Sequence, residues 1–247
     1  MTENTATIAL PATELAAQRW PTAGWAGVWA RHRGAAIRIS VTAEYDGVAA
    51  DIELTLAGTG DEALAVVRRH TSAAVPEGDL DAPVRWDPQV RITRLPATEL
   101  WPQLRAELPP LAALRAGPRP GPREPLAVSA EVTEALAAAA TDRERAAVLQ
   151  RAAAQQPALS ALLQPSARVA LAVSTDHAVA LRCWLVAEDQ LYAAHPDPGS
   201  GGLARVPAGD LARELLWLVA GAAAALAASA ESAESTESTE SAEEGRR

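Results

Sequence analysis

Cysteine is nearly absent from this sequence: Cys183 is the only one among 247 residues. One cysteine cannot form an internal disulfide, and alone it cannot supply a cysteine-type zinc site. Its neighbours Leu181 and Trp184 are apolar or aromatic, which predicts a buried thiol rather than a reactive one. The chain also lacks phenylalanine and lysine, so every one of its 22 basic residues is an arginine.

Positive charge is scarce relative to negative charge, with a net charge of −9. This balance argues against nucleic acid as the main partner. Residues 1–10 lack a basic region followed by an apolar run, so no signal peptide is predicted. The apolar stretch 215–228 is shorter than the roughly 20 residues of a membrane span and is largely alanine. We therefore expect a cytoplasmic protein without a membrane span.

The common catalytic and cofactor motifs are missing as well. The sequence has no GxGxxG before a helix, no P-loop, no HExxH and no GxSxG. Its four histidines do not show metal-ligand spacing. We expect no enzyme, no cofactor and no metal. The alternative is a nucleophilic site at Cys183 with a distant histidine, or around His195 in its polar loop.

A short strand–proline–helix phrase is present in three copies, at residues 8–20, 93–105 and 204–216. Each copy has a proline (Pro11, Pro96, Pro207), followed three residues later by an acid (Glu14, Glu99, Asp210). Proline favours extended geometry before it and is tolerated in a first helical turn, where the acid meets the positive end of the helix dipole. The two stronger copies, the second and third, predict matching ends of two halves. Chance recurrence in an alanine-rich chain is the alternative.

Two regions show the two-residue alternation of half-buried strands, and both are cut by short turns. In the first region Asp46-Gly47 predicts a hairpin. Residues 63–70 fit a strand, with a helix as the rival interpretation, and residues 73–88 form a predicted loop. In the second region strands are predicted at 168–174, 179–185, 190–195 and 203–206, with Val179, Leu181, Cys183 and Leu185 on one side of their strand.

Helices are predicted between and after these regions. Ser129 is a candidate N-cap, and Thr141 with Glu144 fits a capping box. A third short helix is expected at 157–164, and a long helix from Pro207 to about Ala225. The predicted fold is α+β: a mostly antiparallel sheet from two pseudo-symmetric halves, with a helical bundle from 129–164 and 207–228.

The predicted organisation is one domain, residues 1–228, followed by an acidic tail, 229–247. The halves cover about 1–110 and 125–228, joined by a Pro/Gly-rich link at 109–125 without a regular ladder. The tail repeats Glu-Ser-Ala and Glu-Ser-Thr and has no apolar side chain larger than alanine. Such a segment is expected to be disordered or a frayed helical extension.

The middle and end of the chain resemble the EspG family, the type VII (ESX) secretion-associated proteins of actinobacteria. The resemblance lies in Leu108-Pro109-Pro110, the Gly/Pro link at 118–122, the strand leading into an alanine-rich helix at 126–136, and RVPAGDLARELLWLV at 205–219. It covers roughly residues 35–225. It implies a pseudo-twofold α+β fold and a cytosolic chaperone-like role. The implied partners are helical ESX substrates such as PE–PPE pairs, without catalysis or a cofactor.

Trp184 and Tyr192, predicted on adjacent strands, are the candidate binding anchors, because Trp and Tyr dominate interface energetics. The alternative is that they belong to the core. A tryptophan cluster, Trp20, Trp25 and Trp29, is interpreted as core or an interface anchor rather than a ligand-stacking site. A second functional hypothesis is a self-associating interaction protein that forms a homodimer through an exposed sheet edge.

Overall fold

The chain is organised around one large sheet that its two halves build together. The computed structural model describes residues 5–57, 61–72, 84–126, 129–138, 141–155, 159, 162–194 and 203–244. Within this part, eleven strands pair in the order β1-β6-β4-β3-β2-β8-β9-β10-β11-β7, and β5 pairs with β4. All pairs are antiparallel, which confirms the predicted α+β class.

The strands are β1 (Ala6–Pro11), β2 (Ile37–Tyr45), β3 (Val48–Ala57), β4 (Glu62–Ser72), β5 (Val84–Trp86), β6 (Gln89–Pro96), β7 (Glu124–Pro125), β8 (Ala167–Ser174), β9 (Val179–Ala187), β10 (Gln190–Ala194) and β11 (Leu203–Val206). The helices are α1 (Ala12–Ala16), α2 (Ala23–Arg33), α3 (Leu100–Glu107), α4 (Ala112–Arg115), α5 (Ala130–Ala138), α6 (Asp142–Gln155) and α7 (Asp210–Glu244). A 3-10 turn, Ala97–Glu99, precedes α3.

The two predicted halves meet at the antiparallel pair β2–β8, with Val41 opposite Leu171. Outward from this centre, β3, β4, β6 and β1 on one side correspond in order to β9, β10, β11 and β7 on the other. The prolines of the two strong phrases occupy matching places, because Pro96 ends β6 and Pro207 follows β11. The repeated phrase therefore marks structurally equivalent strand-to-helix joints.

The sheet has two faces with different cover, which we call the α7 face and the α2 face. On the α7 face, α3, α4 and α7 pack on alternate residues of the strands to form the main core. On the α2 face of the first half, α1 and α2 cover a smaller cluster that includes Leu64, Val66 and Ile92. The strict alternation of β2, with Ile37, Ile39, Val41 and Ala43 all buried, follows from cover on the α7 face.

Residues 62–72 form the strand β4, as predicted, but two segments taken as irregular carry strands. β5 lies in the predicted loop 73–88, and β7 lies in the predicted link, which also contains α4. Both strands are short: β5 pairs with the end of the preceding strand β4, and β7 pairs with β11, which lies far along the chain. Pro125 has no N–H, but the following Leu126 donates to the carbonyl of Leu203. Strands of two or three residues are too short to show the two-residue alternation from which the other strands were predicted.

The predicted helix starts of the middle region are confirmed. Val132 N donates to Ser129 Oγ (3.3 Å), and Thr141 and Glu144 exchange side-chain to backbone hydrogen bonds of 3.1 and 3.2 Å. The apolar residues of α5 and α6 form a cluster of their own, while α7 packs in the main core, so the helices divide into separate groups. The predicted helix at 157–164 lies largely outside the described residues.

The helix after Pro207 is longer than predicted. It runs to Glu244 rather than to about Ala225. Of the two alternatives for the tail, disorder or a helical extension, the structure contains the helical one as far as Glu244.

The hairpin at Asp46-Gly47 forms as predicted and supplies a test of the strand register. Asp46 and Gly47 have φ of 50° and 70°, and Tyr45 pairs with Val48 across the turn. Gly47→Val is expected to cost about 1–2 kcal/mol of unfolding free energy, because a β-branched residue is strained at positive φ. Gly47→Asn, which tolerates this region, should be nearly neutral. Urea unfolding measures both, and a neutral valine variant would contradict the register.

Candidate functional site

The exposed apolar side chains are the feature most suggestive of a binding surface. Among the described residues, six large apolar side chains are exposed, and four of them come from β9 and α7 of the second half. These four are Val179, Leu181, Leu216 and Trp217, and we call them together the β9–α7 surface. It has two separate parts, because Val179 and Leu181 lie on the face of the sheet turned away from α7. Val179 is 71% exposed and Trp217 65%. Exposed large apolar side chains are candidates for interaction sites, and each of the two parts offers a pair of them.

Two polar contacts show how α7 lies relative to β9. Trp184 Nε1 donates to Asp210, and Arg182 Nε donates to Glu214. From Asp210 to Glu214 the helix advances by about 6 Å, and from Trp184 back to Arg182 the strand covers about 6.6 Å, so the two contacts are equally spaced on both elements. At its start, α7 therefore points in the direction opposite to β9, and its further contacts with the sheet are with β8 and β2.

The apolar row of β9 lies on one side of the strand, as predicted, and faces away from α7. Its members Cys183 and Leu185 are half-buried, whereas Val179 and Leu181 are exposed. The β8 residues opposite the two exposed members are small, with Ala172 across from Leu181. The sequence pattern identified the row correctly, but alternation carries no information about whether a row is covered. Exposure of its first two members was therefore missed.

Trp184 and Tyr192, the predicted anchors, lie on adjacent strands but on opposite faces of the sheet. Trp184 pairs with Ala193 on the α7 face, whereas Tyr192 pairs with Leu185 on the α2 face. Trp184 is 1% exposed and belongs to the main core, and Tyr192 is 8% exposed. The structure does not bring the two side chains together. Trp184 corresponds to the alternative interpretation, a core residue.

A charged network holds the start of α7 against the strands and the link. The carboxylate of Asp210 is fully buried and accepts hydrogen bonds from Trp184 Nε1 (3.1 Å) and Arg213 (2.6 Å). Arg123, from the link, lies 3.3 Å from Asp210 and 2.5 Å from Glu214. Buried carboxylates need such partners to offset their lost hydration. The network thus holds the first turn of α7 in place, and through the helix it positions Trp217 two turns later.

The alternative of a nucleophilic site at Cys183 or around His195 gains little support from the structure. Cys183 is half-buried, and burial raises the pKa of its thiol, which disfavours the nucleophilic thiolate at neutral pH. His195 lies outside the described residues. Within the described part of the chain, no group of three or more His, Cys, Asp or Glu side chains could hold a metal ion.

α7 is also unusually apolar for a helix that is largely exposed beyond its first turns. Among the described residues, its segment Asp210–Ala230 is long and apolar enough to cross a membrane, judged by length and composition alone. A helix that packs one face on a core meets the same criterion, and Leu211, Leu215 and Leu218 are buried in the main core. Residues 215–230 carry no charge.

Comparison with known proteins adds one structural similarity. No protein-family model matches the chain, and no curated protein matches it. Among solved structures, the chain is similar to the Mycobacterium tuberculosis type VII secretion system chaperone EspG5, solved in complex with the PE25–PPE41 dimer. The TM-score is 0.46 at 11% sequence identity, over 84% of this chain and 93% of the EspG5 chain.

Proposed function

We propose that this chain is a cytoplasmic, chaperone-like protein that binds helical substrates of a type VII secretion system and has no turnover of its own. The sequence resemblance at residues 101–166 and 205–219 supports the family assignment. The observation that carries the binding role is the β9–α7 surface, which leaves Val179, Leu181, Leu216 and Trp217 exposed. The partner class to test is a PE–PPE-like pair or another ESX-type helical protein.

The composition of the β9–α7 surface fits a helical partner better than a small molecule. Each part presents two neighbouring apolar side chains on a regular element rather than an enclosed cavity, and the α7 part includes a tryptophan, a residue type enriched at interface hot spots. The body of the protein is acidic, so general charge attraction to an acidic partner is weak. Affinity must then come from burial of the apolar side chains against the apolar face of the substrate.

Capture of a co-expressed substrate pair tests this surface. Trp217→Ala and Val179→Asp test the two parts separately, and the variant in the part that contacts the substrate is expected to weaken binding at least tenfold, which corresponds to about 1.4 kcal/mol. Both side chains are mostly exposed, so the melting temperature should stay within a few degrees of wild type. Affinity is measured by calorimetry with a purified PE–PPE pair, or with another small helical export substrate of the same cell.

Val48→Asp is the matched control, because Val48 begins β3 as Val179 begins the equivalent strand β9, and it is also exposed. It should bind like the wild type. If Trp217→Ala and Val179→Asp bind normally, the β9–α7 surface is not the binding site. If the wild-type chain captures no helical export protein while that system is expressed, the chaperone function is excluded.

Self-association through a sheet edge is the second hypothesis, and the topology limits where it can occur. In the described part of the chain, the outermost strands are β1, six residues long, and β7, two residues long, so of these two only β1 offers an extended edge. A concentration-dependent dimer in light scattering, abolished by Thr7→Pro on β1, would support this hypothesis. A monomer at all concentrations would exclude it.

A further inference from the structure

The link between the two halves exposes a run of prolines that the proposed function does not use. Residues 116–123 lie between α4 and β7 and belong to neither a helix nor a strand. Within this stretch every second residue is a proline: Pro118, Pro120 and Pro122. All three prolines are exposed, and so is Arg119 between the first two. A proline run serves as a rigid spacer or as a recognition segment, and its backbone shape and exposed side decide between the two roles.

The backbone of this run is restricted to the polyproline II conformation. Proline fixes its own φ at about −65° and pushes the residue before it into extended geometry. From residue 117 to residue 122, each residue is either a proline or directly precedes one. Ala116, where the run begins, has φ of −66° and ψ of 142°, and neither Gly117 nor Gly121 has a positive φ. The segment therefore has three residues per turn and is already extended before any partner binds.

One side of the run packs on the joint before α7. A Cβ at Gly209 would lie 2.1 Å from the carbonyl oxygen of Gly117. A Cβ at Gly121 would lie 2.7 Å from Cγ of Pro207. Arg123, at the end of the run, forms ion pairs with the two carboxylates in the first turns of α7. These contacts hold the run in one rotation about its own axis, so the same side chains always face away from the body.

The residues that face away form a row with a defined spacing. In polyproline II, residues three apart lie on the same edge, about 9 Å from one another. Gly117 and Arg123 lie two turns apart on the edge that contacts the joint before α7 and its first turns. Arg119, Pro122 and Pro125 lie on a different edge, and all three are exposed. We call these three residues the Arg-Pro-Pro row; Pro125 continues it into β7, where the backbone remains extended.

The charges around the Arg-Pro-Pro row give it a direction. Glu124, Asp189 and Arg205 line a depression beside Pro122, so carboxylates outnumber guanidinium groups at that end. A partner carboxylate is disfavoured there by like-charge repulsion. Arg119 lies one turn before Pro122 and is exposed. The acidic group of a partner is therefore expected at the Arg119 end of the row.

The chemistry of the Arg-Pro-Pro row indicates the kind of surface that recognises it. Proline rings at polyproline II spacing dock into aromatic-lined grooves, the recognition mode of SH3 and WW domains. Because the backbone is already in the bound conformation, little conformational entropy is lost on binding. A guanidinium at one end of the prolines pairs with a carboxylate in a bidentate geometry, which adds specificity.

We propose that the Arg-Pro-Pro row docks into an aromatic-lined groove of a partner domain that carries a carboxylate at one end of the groove. Pro122 and Pro125 pack between the aromatic side chains, and Arg119 pairs with the carboxylate. The row shares no residue with the β9–α7 surface, so this interaction does not depend on a helical substrate. The link thus has a recognition role in addition to joining the two halves.

Titration of the full chain with a panel of purified SH3 domains tests the proposal. The domains share the aromatic groove and differ in whether an acidic residue lies beside it. At least one domain with the acidic residue is expected to bind, and calorimetry measures its affinity. Replacing that acidic residue in the domain by its amide should weaken binding at least tenfold. For the same domain, Arg119→Ala and Pro122→Ala in this chain should each lower the affinity at least tenfold.

Controls separate this site from the proposed function and from misfolding. Pro118→Ala removes an exposed proline on another edge of the run and should change the affinity less than threefold. Trp217→Ala should bind the SH3 domain like wild type, whatever its effect on helical substrates. Arg119 and Pro122 are exposed, so their variants should keep the wild-type melting temperature within a few degrees. The proposal is overturned if no domain of the panel binds, or if either folded variant binds like wild type.

Discussion

Replacing Asp210 with alanine is expected to lower the free energy of unfolding by about 3–5 kcal/mol, the usual cost of removing one partner from a buried charge network. The Asp210 carboxylate is fully buried and accepts from Trp184 Nε1 and from Arg213. Its loss leaves the indole N–H without that acceptor, and it leaves Arg123 and Arg213, which both contact Asp210, to share the single carboxylate of Glu214. For a chain of this size the melting temperature should fall by roughly 10 °C.

Trp184→Phe is the matched control for Asp210→Ala. It keeps an aromatic ring in the main core and removes the hydrogen bond to Asp210 along with part of the indole volume. It should cost less than Asp210→Ala, about 1–3 kcal/mol. Urea unfolding followed by circular dichroism measures both variants. If Asp210→Ala costs under 1 kcal/mol, the network does not hold α7 and the geometry described for the start of that helix is wrong.

Gly209→Ala is the second large effect, because the residue before α7 has no room for a side chain. Gly209 has φ of 94°, and a Cβ there would lie 2.1 Å from the carbonyl oxygen of Gly117 and 3.2 Å from the amide nitrogen of Arg119. Both contacts are backbone atoms of the link, which cannot rotate away. We expect a loss of about 2–6 kcal/mol, the sum of backbone strain and displacement of a packed segment.

Gly221→Ala is the control, since Gly221 lies within α7 and a Cβ there meets nothing within 4 Å. It should stabilise the protein by about 0.5–1 kcal/mol, the helix preference of alanine over glycine. Opposite signs for the two glycine variants would show that the link is packed against the start of α7. Equal effects would mean that the link near Gly117 moves away without cost and does not position the helix.

Both predictions bear on function through the position of α7. The network of Asp210 and the close packing at Gly209 hold the start of the helix in place against the strands and the link. Trp217 follows two turns later in the same helix. A variant that folds but loosens this joint should weaken helical-substrate capture without touching the β9–α7 surface.

The sequence by itself determined the local elements. Alternation in residues 37–45 and 167–174 predicts strands because side chains of a strand point alternately to two sides. Thr141 with Glu144 predicts a helix start because the two residues satisfy each other's backbone donors. The repeated proline phrase indicated two matching halves, and equivalent places of Pro96 and Pro207 confirm this.

The tertiary structure decided what depends on how separate elements pair and pack. β5 and β7 are too short to carry a period and exist because β4 and β11 offer them unpaired edges. Trp184 and Tyr192 lie on adjacent strands, as predicted, but eight residues of separation and a hairpin place them on opposite faces. Val179 and Leu181 continue the same apolar row as Cys183, yet Val179 and Leu181 are exposed whereas Cys183 is half-buried. Alternation determines which side chains share a face, and only the packing of the whole chain determines which faces are covered.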